Sequence, residues 1–168
     1  EPVVGFELGD IDVVASGGVS GTLGGFTGAG STYAVRLSGV SGDGRIGIMV
    51  ASNRCTDLSG KTNVASTLVS YTVDRTAPEA GQAVGVTNAS TVEVEYNGAW
   101  DGGSGLKRVT LWYRKDGGAW KSSGLTHNAA AGAFELGLPE GSGCYDFALR
   151  AEDNAGNLSQ EITGNGDA

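Results

Sequence analysis

The chain has 168 residues, with 11 Lys and Arg against 19 Asp and Glu, a formal net charge of −8, and 30 glycines. Net negative charge without a basic cluster excludes nucleic acid as a partner, and no apolar run approaches the roughly 20 residues that span a bilayer. The glycines follow no collagen-like period and lie among recurring valines and aromatics, which indicates turns in a packed β-protein.

The first half of the chain contains three segments in which apolar residues alternate with other residues. Gly-Asp-Gly at 42–44 predicts a tight turn between the first two segments, and a loop at 53–63 separates the second from the third. No helical period competes with this alternation. The sequence therefore predicts three half-buried strands, marked by Tyr33, Val35 and Leu37, by Ile46, Ile48 and Val50, and by Val69, Tyr71 and Val73.

A candidate domain boundary follows the third strand, at Asp74-Arg75-Thr76-Ala77-Pro78. Proline ends ladder hydrogen bonding and restricts the residue before it to extended conformations. An ordinary loop or an edge-strand proline would give the same pattern. We predict an interdomain joint formed by Asp74, Arg75 and Pro78, with one domain at 1–76 and a second at 77–168.

The second half continues the alternation. Strands are predicted around Val92, Val94 and Tyr96, around Val109, Leu111 and Tyr113, around Phe134, Leu136 and Leu138, and around Tyr145, Phe147, Leu149 and Ala151. In the second of these, Arg108, Thr110 and Trp112 occupy the opposite face. Strands at intervals of about 8 to 12 residues with glycine-rich turns are typical of a β-sandwich.

Several short motifs resemble known repeats. Residues 71–78 read Y-T-V-D-R-T-A-P, which is similar to the seam between tandem bacterial immunoglobulin-like repeats. V-T-L-W-Y-R at 109–114, D-G-G-A-W at 116–120 and Y-D-F-A-L-R-A-E-D-N-A-G-N at 145–157 resemble a fibronectin-III-like relative. The resemblance implies an all-β fold of two tandem immunoglobulin-like β-sandwiches in an extracellular or cell-surface protein.

The first domain departs from that family pattern. The repeats usually carry two further strands before the segment that matches Glu1-Pro2-Val3, so this sandwich is expected to lack its N-terminal strands. Open sheet edges are normally covered or paired. Two explanations stay open: the chain is a fragment of a longer array, or a neighbouring subunit completes the sandwich by strand addition.

The residues do not predict catalysis. The only histidine, His127, lies in a segment read as a polar loop at 126–128, and no acid lies in a recognised catalytic context. The two cysteines, Cys55 and Cys144, lack metal-ligand spacing. In an extended head-to-tail arrangement they would be too far apart for a disulfide. We therefore expect a non-enzymatic chain without an internal disulfide.

Oxygen ligands in short loops point to Ca²⁺, which prefers 6 to 8 oxygen ligands. Asp and Asn also serve as ordinary turn residues, which is the alternative. The loop at 153–157 is the main candidate, the related loop of the first domain contributes one acid, and two further acids follow from the resemblance, in which ions stiffen joints. The candidate ligands are Asp57, Asp74, Asp101, Asp153, Asn154 and Asn157.

Tryptophans suggest a carbohydrate contact. Because Trp112 alternates with Leu111 and Tyr113, it is expected to point outward, beside Arg108 and near Trp120. Such a surface predicts either a ligand or subunit contact, or an aromatic pair covered by a neighbour or a long Arg stem.

Two functions agree with these sequence features. The first is a non-catalytic structural repeat unit of an extracellular surface or filament protein, with neighbouring repeats or copies of itself as partners. The alternative is an adhesive or carbohydrate-binding module of a large surface adhesin or secreted enzyme, with a cell-surface glycan as ligand.

Overall fold

The computed structural model describes residues 1–88, 91–138 and 140–164, in which strands alternate with turns and loops. The predicted all-β sandwich fold is confirmed. The chain divides into two compact units, Glu1–Asp74 and Arg75–Ala168, a division two residues before the predicted boundary. The immunoglobulin-like and fibronectin-III-like assignments, and the absence of early strands from the first domain, stay predictions.

The first unit contains seven strands in three antiparallel sheets, with orders β1-β6, β2-β5-β7 and β3-β4. A short 3₁₀ helix, Leu8–Asp10, precedes β2. The strands are β1 Val3–Val4, β2 Ile11–Gly17, β3 Ser20–Ala29, β4 Thr32–Ser41, β5 Gly44–Val50, β6 Thr56–Asp57 and β7 Val69–Val73.

The turn at 42–44 separates strands of different sheets, since β4 pairs with β3 whereas β5 pairs with β2 and β7. Gly42 has a φ of 75°, and a Cβ at this position would lie 2.1 Å from the carbonyl oxygen of Gly18. Only glycine fits this approach of two backbones.

The apolar interior of the first unit is small. Of its apolar residues, Val19 and Ile46 are buried. Val69 and Tyr71 of β7 lie opposite Ile48 and Ile46 of β5, yet they are 71% and 51% exposed. The third predicted strand therefore forms, but its apolar face is much more exposed than a half-buried strand would be.

The second unit contains two three-stranded antiparallel sheets, with orders β12-β9-β8 and β11-β10-β13. The strands are β8 Gln82–Asn88, β9 Val92–Asn97, β10 Leu106–Lys115, β11 Lys121–His127, β12 Gly132–Leu136 and β13 Tyr145–Asp153. The sequence did not predict β8 or β11, and Leu138 lies beyond the end of β12 rather than inside a strand.

One continuous core fills the second unit. It contains alternate residues of both sheets, as expected for a sandwich with its inner faces packed together. The buried cluster comprises Ala83, Val92, Val94, Tyr96, Ala99, Val109, Leu111, Tyr113, Phe134, Leu136, Phe147 and Leu149. Tyr145 fixes the turn before β13, because its hydroxyl donates to the carbonyl of Gly141 at 2.9 Å and accepts from the amide of Glu140.

Candidate functional site

The outer face of the β11-β10-β13 sheet carries the predicted aromatic surface. Val109, Leu111 and Tyr113 are buried. The alternate residues of β10 therefore face away from the core. Trp112 is half-buried on this outer face, so its predicted outward orientation agrees with the structure.

Small residues flank Trp112 on both neighbouring strands. Its register partners are Ala148 on β13 and Ser122 on β11. Between Thr110 and Trp112 the pairing with β11 shifts register, and Gly124 in the shifted segment has a φ of 77°. Such bulges bend a strand locally and redirect its side chains. Ser122 and Gly124 of β11 border a depression beside the indole.

This depression is a pocket of about 310 Å³ in the second unit, which we call the Trp112 pocket. Its volume is at the lower end of the range for small-molecule sites, about 300 to 1,000 Å³. The lining combines an aromatic ring, hydroxyl groups and charged side chains. It comprises Arg108, Thr110, Trp112, Ser122, Gly124, Thr126, Arg150, Ala151, Glu152 and Leu158.

Glu152 is the acid of the Trp112 pocket, and two cations neutralise it. Lys107 donates to its carboxylate at 2.7 Å, and Arg108 forms a second ion pair. The pKa of Glu152 lies below its ordinary value, chiefly because of the hydrogen bond from Lys107, with the charge of Arg108 adding to the effect and partial burial opposing it. Glu152 is therefore ionised and already paired.

Arg150 is the second cation of the pocket, and its bonding is incomplete. It lies opposite Thr110 in the β10-β13 register. Its guanidinium approaches Glu161 at 4.0 Å, and Glu161 is itself 85% exposed. The Nε atom is buried and has no hydrogen-bond partner among the described residues. A guanidinium has five donors, and it is the terminal N–H groups of Arg150, not its buried Nε, that an acidic ligand can reach.

Trp120 does not line the Trp112 pocket. Its ring lies 4.9 Å from the guanidinium carbon of Arg114, which also bonds Asp146 at 2.7 Å. Stacking of a cation on an aromatic face accounts for this position. Trp120 is therefore half-buried against a protein side chain, while Trp112 borders open space.

The sequence alone predicts Trp112 and Arg108 as contact residues, but it does not predict the contribution of Arg150, Ser122 and Thr126 to the pocket. Arg150 alternates with the buried Leu149 and Ala151, so its outward orientation was readable from β13. Its position opposite Thr110 depends on the register between β10 and β13, which cannot be predicted from the sequence of either strand alone. Ser122 and Thr126 lie on β11, which the sequence did not predict.

Two of the predicted calcium ligands of the second unit lie together. One carboxylate oxygen of Asp101 lies within 4.8 Å of one of Asp153. Asp153 is buried, and so is Asp74, the last residue of the first unit. Carboxylate oxygens are suitable ligands for Ca²⁺.

Hydrogen bonds in the same loops also support the turn interpretation. Asp153 accepts from the backbone and side chain of Asn157 at 2.8 and 2.7 Å, and Asp101 accepts from the amide of Gly105 at 2.6 Å. Asn154 donates to the carbonyl of Gly105. Calcium binding stays a prediction, and a melting temperature indifferent to calcium and to chelator would contradict it.

Asp57, another predicted ligand, is the last residue of β6 in the first unit. Its carboxylate accepts from the amides of Ser59 and Lys61 at 2.8 and 2.9 Å. These bonds close the turn after β6, which is a common use of Asp.

His127 is the last residue of β11, so its predicted placement in a loop is wrong. Its ring stacks on Phe134 with centroids 4.4 Å apart and lies 6.0 Å from the Tyr96 ring. Aromatic packing explains this position. Cys55 and Cys144 are free thiols.

The first unit contains a different kind of pocket, with a volume of about 410 Å³. Phe6, Phe26 and Tyr33 contribute aromatic rings with centroids 5.0 to 5.6 Å apart. Aliphatic residues that include Ile11, Val35 and Ile48 complete most of the lining. This surface is mainly apolar and carries no charged side chain.

Comparison with known proteins gives one informative relative. The chain is 36% identical over 115 residues to Exoglucanase B of Cellulomonas fimi, a match that covers 63% of this chain and 10% of that protein. The chain thus spans about a tenth of the length of the curated relative it matches. No family model matches the chain. No solved structure matches it.

Among the described residues, no helix has the length and apolar character needed to span a membrane.

Proposed function

We propose that this chain is a non-catalytic accessory region of a secreted bacterial enzyme, in which the second unit binds carbohydrate. One observation carries the proposal: the 115-residue similarity to Exoglucanase B, which covers only 10% of that enzyme. A segment that corresponds to so small a share of an enzyme suits an accessory role better than a catalytic one. The proposal places the chain outside the cell.

The geometry of the Trp112 pocket supports carbohydrate binding. A sugar ring has an apolar face, which gains free energy when it covers an aromatic ring and leaves water. Hydroxyl groups of Thr110, Ser122 and Thr126 surround the indole and can donate to or accept from sugar hydroxyls. The pocket therefore contains both an aromatic ring for the apolar face of a sugar and hydroxyl groups for its polar edge.

The non-catalytic part of the proposal rests on the small share of Exoglucanase B that the chain matches, 10% of that enzyme. We expect the chain to release no reducing sugar from polysaccharides.

Affinity electrophoresis tests the proposal. The intact chain is run through native gels that contain soluble glucan, xylan or pectin, and we expect at least one polysaccharide to retard it. Trp112→Ala should abolish the retardation. Trp100→Ala is the matched control, because Trp100 is 62% exposed and lies outside the Trp112 pocket. Retardation by none of the polysaccharides, or equal retardation of Trp112→Ala, would contradict the proposal.

A second candidate function is a structural repeat that assembles with neighbouring repeats or with copies of itself. The exposed inner face of β7 favours it, since β7 is an edge strand of its sheet and carries Val69 and Tyr71. An added strand would pair with such an edge and cover such a face. Sedimentation velocity over a wide range of protein concentration tests it, and a monomer throughout would contradict self-assembly.

A further inference from the structure

We infer that the Trp112 pocket binds a carboxylated sugar, a uronic acid residue, with the carboxylate on Arg150 and the ring on Trp112. The inference rests on the proposed carbohydrate-binding function and names the ligand class. The chain as a whole has a net charge of −8, whereas the charged side chains that line this pocket are Arg108, Arg150 and Glu152, which together are net positive.

The ion pairs show where that surplus lies. Glu152 is the acid of the pocket, and it is paired with Lys107 and with Arg108. Arg150 has Glu161 as its ion-pair partner, with 4.0 Å between Nη2 of Arg150 and Oε1 of Glu161. At that separation, an exposed ion pair contributes little and is screened by salt. Arg150 is thus the cation that an incoming acid would meet.

The chemistry of the guanidinium selects the kind of acid. Arginine presents paired N–H donors in a planar fork that matches the two oxygens of a carboxylate. A neutral sugar hydroxyl cannot engage both donors in this way. A ligand carboxylate therefore has an advantage that a neutral sugar of the same size lacks.

The strand register sets the distance between the two contacts. Trp112 lies opposite Ala148, and Arg150 is two residues farther along β13 on the same face. Diagonal neighbours of this kind in an antiparallel pair are about 7 to 8 Å apart. One pyranose ring with a carboxylate substituent can therefore contact both side chains. Ala148 itself is too short to intervene.

Hydroxyl groups complete the pocket. Thr110 lies opposite Arg150 on one side and opposite Thr126 on the other, and Ser122 is the partner of Trp112. Ser122 is therefore level with Trp112, where it can bond hydroxyls of the sugar ring, whereas Thr110 and Thr126 are level with Arg150 and border the carboxylate end.

Isothermal titration calorimetry of the intact chain tests the inference. The probes are an oligogalacturonate, the same oligosaccharide with its carboxylates methyl-esterified, and a cello-oligosaccharide of equal length. We expect the free acid to bind at least about tenfold tighter than its ester, because only the acid can accept the charged bidentate pair. Added salt should reduce this preference.

Variants assign the preference to Arg150. Arg150→Gln should remove the difference between acid and ester, and Arg150→Lys, which keeps the charge without the fork, should retain only part of it. Arg36→Gln is the matched control, because it makes the same change at an exposed residue of the first unit. Unchanged melting curves establish that each variant is folded.

The possible outcomes separate this inference from the proposed function. Equal, Trp112-dependent binding of acid, ester and cello-oligosaccharide would overturn the uronate inference and leave carbohydrate binding intact. Binding of polyglutamate as tight as that of oligogalacturonate would overturn it in favour of an acidic protein ligand. Absence of binding to every carbohydrate would overturn both.

Discussion

The two units differ sharply in how much apolar surface they bury. The second unit has a continuous core to which both of its sheets contribute, whereas in the first unit the buried apolar residues are Val19 and Ile46. Burial of apolar area is the main favourable contribution to folding. The comparison indicates that apolar burial stabilises the second unit more than the first, and that the first depends more on strand pairing.

The pockets of the two units also differ in chemical character. The pocket of the first unit is an apolar groove bordered by Phe6, Phe26 and Tyr33. The Trp112 pocket combines one aromatic ring with hydroxyl groups and charges on the outside of a well-packed sheet. Side chains held on a rigid sheet lose little conformational entropy when they bind a ligand. This difference favours the second unit as the carbohydrate-binding part.

The largest expected effect is that of Phe134→Ala in the second unit. Phe134 is 1% exposed and stacks on Tyr96 with ring centroids 5.0 Å apart. Its removal should lower the free energy of unfolding by about 3 to 5 kcal/mol. Urea unfolding measures this loss. Phe26→Ala, at a partly buried ring of the first unit, is the control, and an equal loss there would refute the contrast between the cores.

A second substitution tests the dependence of the first unit on strand pairing. A Cβ on Gly47 would lie 2.3 Å from the carbonyl oxygen of Val69 on β7. Gly47→Ala should therefore push β5 and β7 apart and cost about 1 to 3 kcal/mol. The urea midpoint of the first unit reports this cost. Gly24→Ala, where a Cβ meets nothing within 4 Å, should leave the midpoint nearly unchanged.

Acid should destabilise the second unit partly through Glu152. The lowered pKa of Glu152 favours its ionised form in the folded chain. This stabilisation is present above the ordinary pKa of 4.5 and is lost as the pH falls through the lowered value. Melting temperatures measured from neutral pH downward should fall more steeply below pH 4.5 for the native chain than for Glu152→Gln.

The exposed Glu93 on β9 provides the control for that pH profile. Glu93→Gln should keep the steep acid limb of the native chain. A Glu152→Gln profile that follows the native curve throughout would show that the ion pairs with Lys107 and Arg108 do not stabilise the fold.

The smallest expected effect is at the exposed face of β7. Val69 is 71% exposed, so Val69→Ala should change the free energy of unfolding by no more than about 0.5 kcal/mol. Urea unfolding at low protein concentration checks this value. A loss that appears only at high protein concentration would show that another copy covers this face and would support the structural-repeat function.

Periodicity was enough to predict most of the sheet structure. The alternation of Val109, Leu111 and Tyr113 with Trp112 gave both the strand and its outward face, because burial on one side of a strand imposes a period of two. The strand β3 was missed because its sequence, S-G-T-L-G-G-F-T-G-A, interrupts the alternation with glycines. In β11, Gly124 and the shift in register with β10 likewise interrupt the alternation of apolar residues.

The candidate site was only partly predictable, because it depends on register between strands distant in sequence. Arg150 faces Thr110 across a separation of 40 residues. Asp101 and Asp153 likewise lie together although they belong to loops distant in sequence. Residue type suggested these acids and Trp112, but three-dimensional pairing decided which neighbours they have. Trp120 stacks with Arg114, which agrees with the predicted alternative of an aromatic ring covered by a long Arg stem.

The most direct test is to map carbohydrate binding onto the two units by NMR. Backbone amide shifts of the intact chain are followed as oligogalacturonate and cello-oligosaccharide are added in turn. We expect saturable shifts on β10, β11 and β13 around Trp112 and Arg150, with the acidic ligand saturating them first. Shifts confined to the Phe6, Phe26 and Tyr33 groove of the first unit, or no shifts with either ligand, would contradict it.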